Sequence, residues 1–220
     1  MNIINEKVVE YLDGTYKSPS HTLEILRKEA EADRVPIILR DSESFLLTLL
    51  KSINAKNILE IGTAVGYSSS CFVCASGADV VTIEADEETH KIAADNIKKL
   101  GYEDKITPLY GDARLVLEDM QGTYKDTFDF VFIDAAKSHY KAFWDLAIPL
   151  CKTDAVIVCD NVLMKAMTAS DEYDPNRKYK TSIRKMREFL DYINNLDYAD
   201  TCILPIGDGI SMSKLKKEKI

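Results

Sequence analysis

The tightest constraint on this chain is a rhythm: short runs rich in Val, Ile and Phe alternate with longer amphipathic stretches. The runs at 57–61 (NILEI), 79–84 (DVVTIE), 105–109 (KITPL), 128–133 (FDFVFI) and 154–159 (DAVIVC) are apolar on both faces. Strands covered by helices on both sides of a parallel sheet read this way, whereas a half-solvated strand alternates. Between them, 66–76, 87–100, 113–120 and 138–150 are helix candidates. In 87–100 the residues Ile92, Ala93, Asn96, Ile97 and Leu100 fall near helical spacing, and Gly101 follows as a stop. Alternating strands and helices imply right-handed crossovers and an α/β, doubly wound, Rossmann-like sheet with helices on both faces. After the fifth run the rhythm breaks. Residues 160–180 carry Pro175 and no clear period, and a helix follows near 180–195. The run 199–204, the turn Pro205-Ile206-Gly207-Asp208-Gly209 and the run ISMSKLKK then predict an antiparallel hairpin closing a seven-stranded, mostly parallel sheet. Ahead of the first strand, 1–12, 20–33 and 41–53 read as extra N-terminal helices, with Asp41 and Glu43 suited to the start of the third. The organisation is a single domain over 1–220: N-terminal helices over 1–53 and a Rossmann-like core over 54–220, with a solvated tail at KLKKEKI.

Composition excludes several classes. At 220 residues one domain suffices, and 46% hydrophobic with 29% charged residues is neither disordered nor fibrous. No stretch is long and apolar enough for a membrane span, and MNIINEKVVEYLDG does not read as a secretory signal. Five cysteines, odd in number and set in apolar runs, fit reduced thiols in a cytoplasm. Cys71 and Cys74 form one CxxC with no second pair, so a core face is the better reading than a metal knot. A net charge of -8 argues against a protein that coats nucleic acid non-specifically, DNA included.

Ligands of open α/β sheets sit at the carboxyl ends of strands. The first strand ends in Glu60-Ile61-Gly62-Thr63-Ala64-Val65-Gly66-Tyr67-Ser68, where two glycines allow a tight turn and the next helix offers free N–H groups. The second ends in Glu84, about 20 residues on, where an acid can accept from ribose hydroxyls. The third ends in Tyr110-Gly111-Asp112-Ala113, a candidate for an adenine amino group or a plain Gly-Asp turn. Together they indicate a nucleoside cofactor. The fourth and fifth end in Asp134 and in Asp160-Asn161. These are either helix caps or three oxygen ligands for a hard cation such as Mg²⁺. Lys137, three residues past Asp134, is a candidate general base or a surface lysine. His139 and Tyr140 follow and could line the cleft; Trp144 reads as core.

In series, ILEIGTAVGYS, IEAD, YGDA, FDFVFIDAAK and IVCDN resemble the cation-dependent class I O-methyltransferases that use S-adenosylmethionine, the group of the catechol and caffeoyl-CoA enzymes. The resemblance implies that Asp134, Asp160 and Asn161 hold Mg²⁺, or another divalent cation such as Mn²⁺ or Ca²⁺. It implies Ile38, Glu60, Gly62 and Ser68 on the methionine side of the cofactor, Glu84 at the ribose, Asp112 and Ala113 at the adenine, and Asp134 beside the cofactor. It implies catalytic roles for Lys137 and Asp134: two vicinal acceptor oxygens chelate the ion, Lys137 takes a proton, and the oxyanion attacks the methyl. A homodimer is a further family expectation. Where the catechol enzymes carry an acid near the end of strand six, Cys202 is the nearest match here, which counts against a simple catechol.

The flanks Arg34-Val35-Pro36-Ile37 and Leu204-Pro205-Ile206-Gly207-Asp208-Gly209-Ile210 resemble bacterial members that methylate 5-hydroxyuridine in tRNA to 5-methoxyuridine at the wobble position. Arg177, Lys178, Lys180, Arg184, Lys185 and Arg187 would then face RNA, with only Glu188 close by. Charge runs are also commonly solvated helix faces. The sequence-based expectation is therefore a tRNA methyltransferase. The rival is an enzyme acting on small catechol, caffeoyl or flavonoid acceptors. A third reading is a nucleoside-binding module without catalysis, which a whole metal triad disfavours.

Overall fold

The computed structural model describes residues 5–216. Its sheet has seven strands in the order β3-β2-β1-β4-β5-β7-β6. β1 (Asn57–Ile61), β2 (Asp79–Glu84), β3 (Ile106–Tyr110), β4 (Phe128–Ile133) and β5 (Cys151–Cys159) run parallel, while β6 (Ala199–Leu204) and β7 (Ile210–Leu215) form the antiparallel hairpin, with β7 against β5. The expected fold class holds. Pro108 lies in β3, an edge strand, where a missing N–H breaks no central ladder.

The central strands bury both faces, each against its own core. Leu59, Ile61, Val131, Ile133, Ile157 and Cys159 face one side, with Trp144 of α7 (Tyr140–Ala147), Leu117 of α6 (Ala113–Met120) and Phe189 of α8 (Lys180–Asn194). Ile58, Phe130, Phe132, Val156 and Val158 face the other, against α4 (Tyr67–Ser76) and the N-terminal helices. On that side Phe72 meets Phe130 and Phe132 edge-on, at centroid distances of 6.2 and 5.5 Å. Edge-to-face pairs are worth about 0.5–1.5 kcal/mol beyond their buried area. α5 (Glu87–Lys99) starts where Asp86 accepts from Thr89 N at 2.8 Å, an ordinary side-chain cap.

The N-terminal helices are α1 (Glu6–Thr15), α2 (His21–Ala32) and α3 (Arg40–Ser52). α1 is displaced from the predicted 1–12, whose first four residues lie outside the described ones, as does the end of the KLKKEKI tail. α3 begins at Arg40 and its N-cap, Leu39, makes no side-chain bond. Glu43 is not a solvated first-turn acid: it is completely buried on the stripe that carries Leu46 and Leu50, and it meets Arg27 on the buried stripe of α2.

Candidate active site at the strand carboxyl ends

The chain turns one way after β1, through β2 and β3, then returns to add β4 on β1's other side. This switch point brings Gly62 and Asp134 together. Asp134 N donates to Ile61 O at 2.9 Å, and a Cβ on Gly62 would stand 2.1 Å from the Asp134 carbonyl oxygen. Gly62 has φ +105°, so its glycine is required first by the neighbouring strand end. Gly66 faces Ala93 and Ile97 of α5 with ordinary room for a side chain, so its φ of +78° is what calls for glycine.

Glu60 lies under this turn, fully buried, accepting from Ser68 Oγ at 2.5 Å and Thr82 Oγ1 at 2.6 Å. Burial pushes its carboxyl up to about 8, against the pull of the Ser68 and Thr82 hydroxyls, with Asp134 and Glu84 adding to the rise. Glu84 accepts from Ala64 N at 2.9 Å, Ala85 N at 2.9 Å and Asp86 N at 3.0 Å, which ties the end of β2 to the glycine turn. Asp112 caps α6, accepting from Arg114 N at 2.9 Å. Its oxygens are also engaged by Arg114 Nε at 3.1 Å and Nη2 at 2.6 Å, which hold its carboxyl down to about 2. Arg114 is a partner the sequence reasoning missed. Ala113 opens α6, and Ile38 is buried just ahead of α3.

At the ends of β4 and β5 two of the three expected ligands, Asp134 and Asn161, meet on one ammonium. Lys137 Nζ lies 2.8 Å from Asp134 Oδ1, 2.7 Å from Asn161 Oδ1 and 2.9 Å from the Tyr140 hydroxyl. Tyr140 in turn donates to the Asp160 carbonyl at 2.9 Å, and burial raises its own pKa. Asp160 is 1% exposed and accepts from Asn161 N at 2.6 Å. Burial, and then Asp134, push its carboxyl up to about 7. No cluster of three His, Cys, Asp or Glu exists among the described residues, so any cation site here depends on the Asn161 amide.

Asp208, in the turn between β6 and β7, is the residue that sequence reasoning passed over. Its carboxylate accepts from Lys165 N at 2.5 Å, burial raises its pKa, and its charge is felt at Asp160. Cys202 sits inside β6, opposite Met212 on the outermost strand. Asp208, in the hairpin turn, is thus an acid whose charge reaches Asp160, while Cys202 lies within β6. The Gly207-Asp208-Gly209 run is visible in the sequence, but not that β7 inserts between β5 and β6.

The basic run is less free than its composition implies. Arg187 donates to Thr168 O at 2.8 Å and Met167 O at 3.2 Å and pairs with Asp171 at 2.7 Å. Arg184 pairs with Glu188 at 2.6 Å. These two brace the 160–180 segment and α8, and Glu188 is not the only acid near. Arg177, Lys178 and Lys180 remain exposed, Lys185 partly so. α8 packs against residues 137–139, the turn that carries Lys137. His139 tilts onto Phe143 with centroids 5.9 Å apart.

The profile of the O-methyltransferase family matches residues 15–216. The chain belongs to that family. Among its curated relatives, the caffeoyl-CoA O-methyltransferase of Petroselinum crispum is 36% identical over 182 residues, 79% of this chain and 74% of that protein. A Staphylococcus aureus structure provisionally named a caffeoyl-CoA O-methyltransferase superposes with a TM-score of 0.87 at 30% identity, covering 94% of this chain and 98% of that one. A Bacillus cereus O-methyltransferase solved with SAH superposes with a TM-score of 0.82 at 28% identity, over 96% and 97%. This O-methyltransferase thus has, at its strand ends, a carboxylate, an amide oxygen and a phenol within hydrogen-bond reach of one amine.

Proposed function

We propose that this protein moves a methyl group from S-adenosylmethionine to one of two vicinal oxygens on a small aromatic acceptor with an anionic tail, of the caffeoyl-CoA kind. The observation that carries this reading is the Asp134–Lys137–Asn161 contact, 2.8 and 2.7 Å, beside the Gly62 turn. The SAH-bound relative supports the cofactor, and the caffeoyl-CoA relatives favour a small acceptor over the wobble uridine. Five free cysteines suit a reducing cytoplasm.

The residues fit a divalent cation. Asp134 and Asn161 already accommodate one positive group, and Asp160 is a carboxylate whose pKa burial raises first and the neighbouring Asp134 raises further, so a cation there would relieve both. Asp134, Asp160 and Asn161 would hold the ion, which when bound supplies acidification of a coordinated hydroxyl. Lys137 Nζ reaches the oxygens of both Asp134 and Asn161, so it can hold or take a proton at that place. Tyr140 fixes the lysine from below and the Asp160 backbone from beside it. Glu84, with both oxygens anchored by backbone N–H groups, presents a fixed acceptor to a ribose. Arg177, Lys178 and Lys180, exposed where the chain enters α8, the helix that packs on the Lys137 turn, suit the phosphates of an acceptor's tail.

The second reading, wobble 5-hydroxyuridine in tRNA, keeps the same chemistry and uses those same cations on RNA phosphates. One assay separates the two. The protein is given labelled S-adenosylmethionine and Mg²⁺ with caffeoyl-CoA, free caffeate, or tRNA bearing 5-hydroxyuridine. Label in the phenolic thioester is the expected result. Label in the tRNA alone overturns the small-acceptor reading, and turnover undiminished by chelator removes the three ligands from the mechanism.

A further inference from the structure

We infer that Arg27, far from any reacting atom, is a positioning residue for the cofactor: its guanidinium locks the Ile38 backbone and the first turn of the Ser68 helix to one buried centre. The inference rests on the S-adenosylmethionine reading above. Arg27 is 2% exposed, Glu43 0% and Tyr67 1%, and the three come from α2, α3 and the first position of α4. Arg27 Nη2 donates to Glu43 Oε2 at 2.6 Å and to the Ile38 carbonyl at 2.9 Å. Its Nε donates to the Tyr67 hydroxyl at 3.0 Å, and Nη1 to Glu31 at 3.1 Å. Tyr67 donates to Glu43 Oε2 at 2.8 Å, and Tyr16, just past α1, donates to Glu43 Oε1 at 2.6 Å. The guanidinium also lies over the Tyr67 ring, 4.7 Å from its centroid. Burial opposes the charge on Arg27, but the bond to Glu43 and the neighbouring Tyr67 hold it protonated.

This centre is not what stability alone would select. Desolvating an ion pair commonly offsets its attraction, and well-packed apolar replacements are often neutral or stabilising. Leu23, Leu26 and Ala30 surround Arg27 on the buried stripe of α2, where another apolar side chain would pack as well. What an apolar residue cannot reproduce is direction. A planar fork with donors aimed at a carboxylate, a carbonyl and a hydroxyl sets the relative places of three elements. Two of those elements carry proposed cofactor contacts: Ile38 is held through its own carbonyl, and Ser68 follows Tyr67 directly. Ser68 in turn is bonded to Glu60. The charged centre thus supports the methionine side of the cofactor from behind, in the way outer partners orient inner ligands.

The test pairs stability with direct binding. The double variant Arg27→Met/Glu43→Leu is expected to melt at or above the wild-type temperature, yet to bind S-adenosylmethionine about tenfold more weakly by calorimetry, the scale typical of lost orienting partners. The acceptor KM should stay unchanged. Tyr67→Phe keeps the ring and removes one spoke, and should weaken cofactor binding in the same direction by a smaller factor. A folded double variant with wild-type cofactor affinity overturns the inference. If the double variant does not fold, Tyr67→Phe decides: weaker binding supports the inference and wild-type affinity overturns it. Wild-type protein that binds no S-adenosylmethionine defeats the cofactor reading itself, a result distinct from a variant that merely binds as well as its parent.

Discussion

The turn after β1 and the loop after β5 sit at nearby strand ends of one sheet, yet they are held in opposite ways. The β1 turn is built largely on glycine. Gly62 and Gly66 take its positive φ values, with Ala64 at 47° as the one non-glycine, and Glu84 ties it down from the next strand. The β5 loop places four non-glycine residues in the left-handed region: Asn161 at 55°, Met164 at 49°, Lys165 at 55° and Ala166 at 68°. Each costs on the order of 1–2 kcal/mol, so the loop persists only because something else over-determines it. That something is the hairpin turn more than forty residues on. Val162 N donates to Gly209 O at 2.9 Å and Leu163 N to Asp208 O at 3.0 Å, while Gly207 N is held by Asp41 at 2.8 Å. The β1 turn meets its positive φ values mostly with glycine, while the proposed acceptor end meets them with larger residues pinned from a distance. Strain of this kind clusters at functional sites.

The largest expected effect tests which end carries the chemistry. Lys137→Met should lower kcat by roughly 10²–10⁴-fold, the range for a lost general base, with cofactor affinity unchanged in calorimetry. A normal rate would assign the chemistry elsewhere. Next, Gly209→Ala attacks the pin. Its Cβ would stand 2.4 Å from Leu163 Cγ and 2.8 Å from Leu163 N, at φ +88°. It should cost about 1–3 kcal/mol in denaturant melts and weaken divalent-ion binding, while leaving the cofactor dissociation constant alone. Equal loosening of both ligands would erase the contrast between the two ends.

The smallest effect concerns pH. Glu60 is raised from 4.5 to about 8, so in that interval the ligand-free folded state holds a proton that the unfolded state has released. Stability should therefore be greatest below about pH 4.5 as far as this group is concerned, and be lost as pH rises towards 8, by at most ~1.4 kcal/mol per pH unit. Asp160 adds a slope of the same sign over a lower window. Glu60→Gln, which keeps partners for Ser68 and Thr82, should flatten the upper part of the profile. Melts at a series of pH values that superimpose on wild type would mean that Glu60 is already ionised when buried.

Local pattern is enough to read β1, β2, β4 and the hairpin, because a strand apolar on both faces has no other stable place at this length. For β5 the pattern reads short: the strand begins at Cys151, where Lys152 and Asp154 break the apolar run and the ladder slips between Phe128 and Phe130. Asp134, Lys137 and Asn161 are also legible as candidates, since each follows the carboxyl end of a buried strand, where ligands gather. Glu43 is not, because an acid in a first turn suits the helix dipole whether it faces water or Arg27. Its place on the helix says more than its charge: Arg27 and Glu43 both occupy apolar stripes, and opposite charges at two such places invite pairing.

The chain's own order of residues determined the layered sheet, the glycine turn and the kinds of side chain at each strand end, because periodicity and turn chemistry act over a few residues. Tertiary structure alone decided that β7 would enter between β5 and β6, that Asp208 would stand by Asp160, and that Arg27 would find Glu43 and Tyr67. Those outcomes depend on strand order and helix crossing, which are settled by the joint burial of distant surfaces and leave no mark on any one segment.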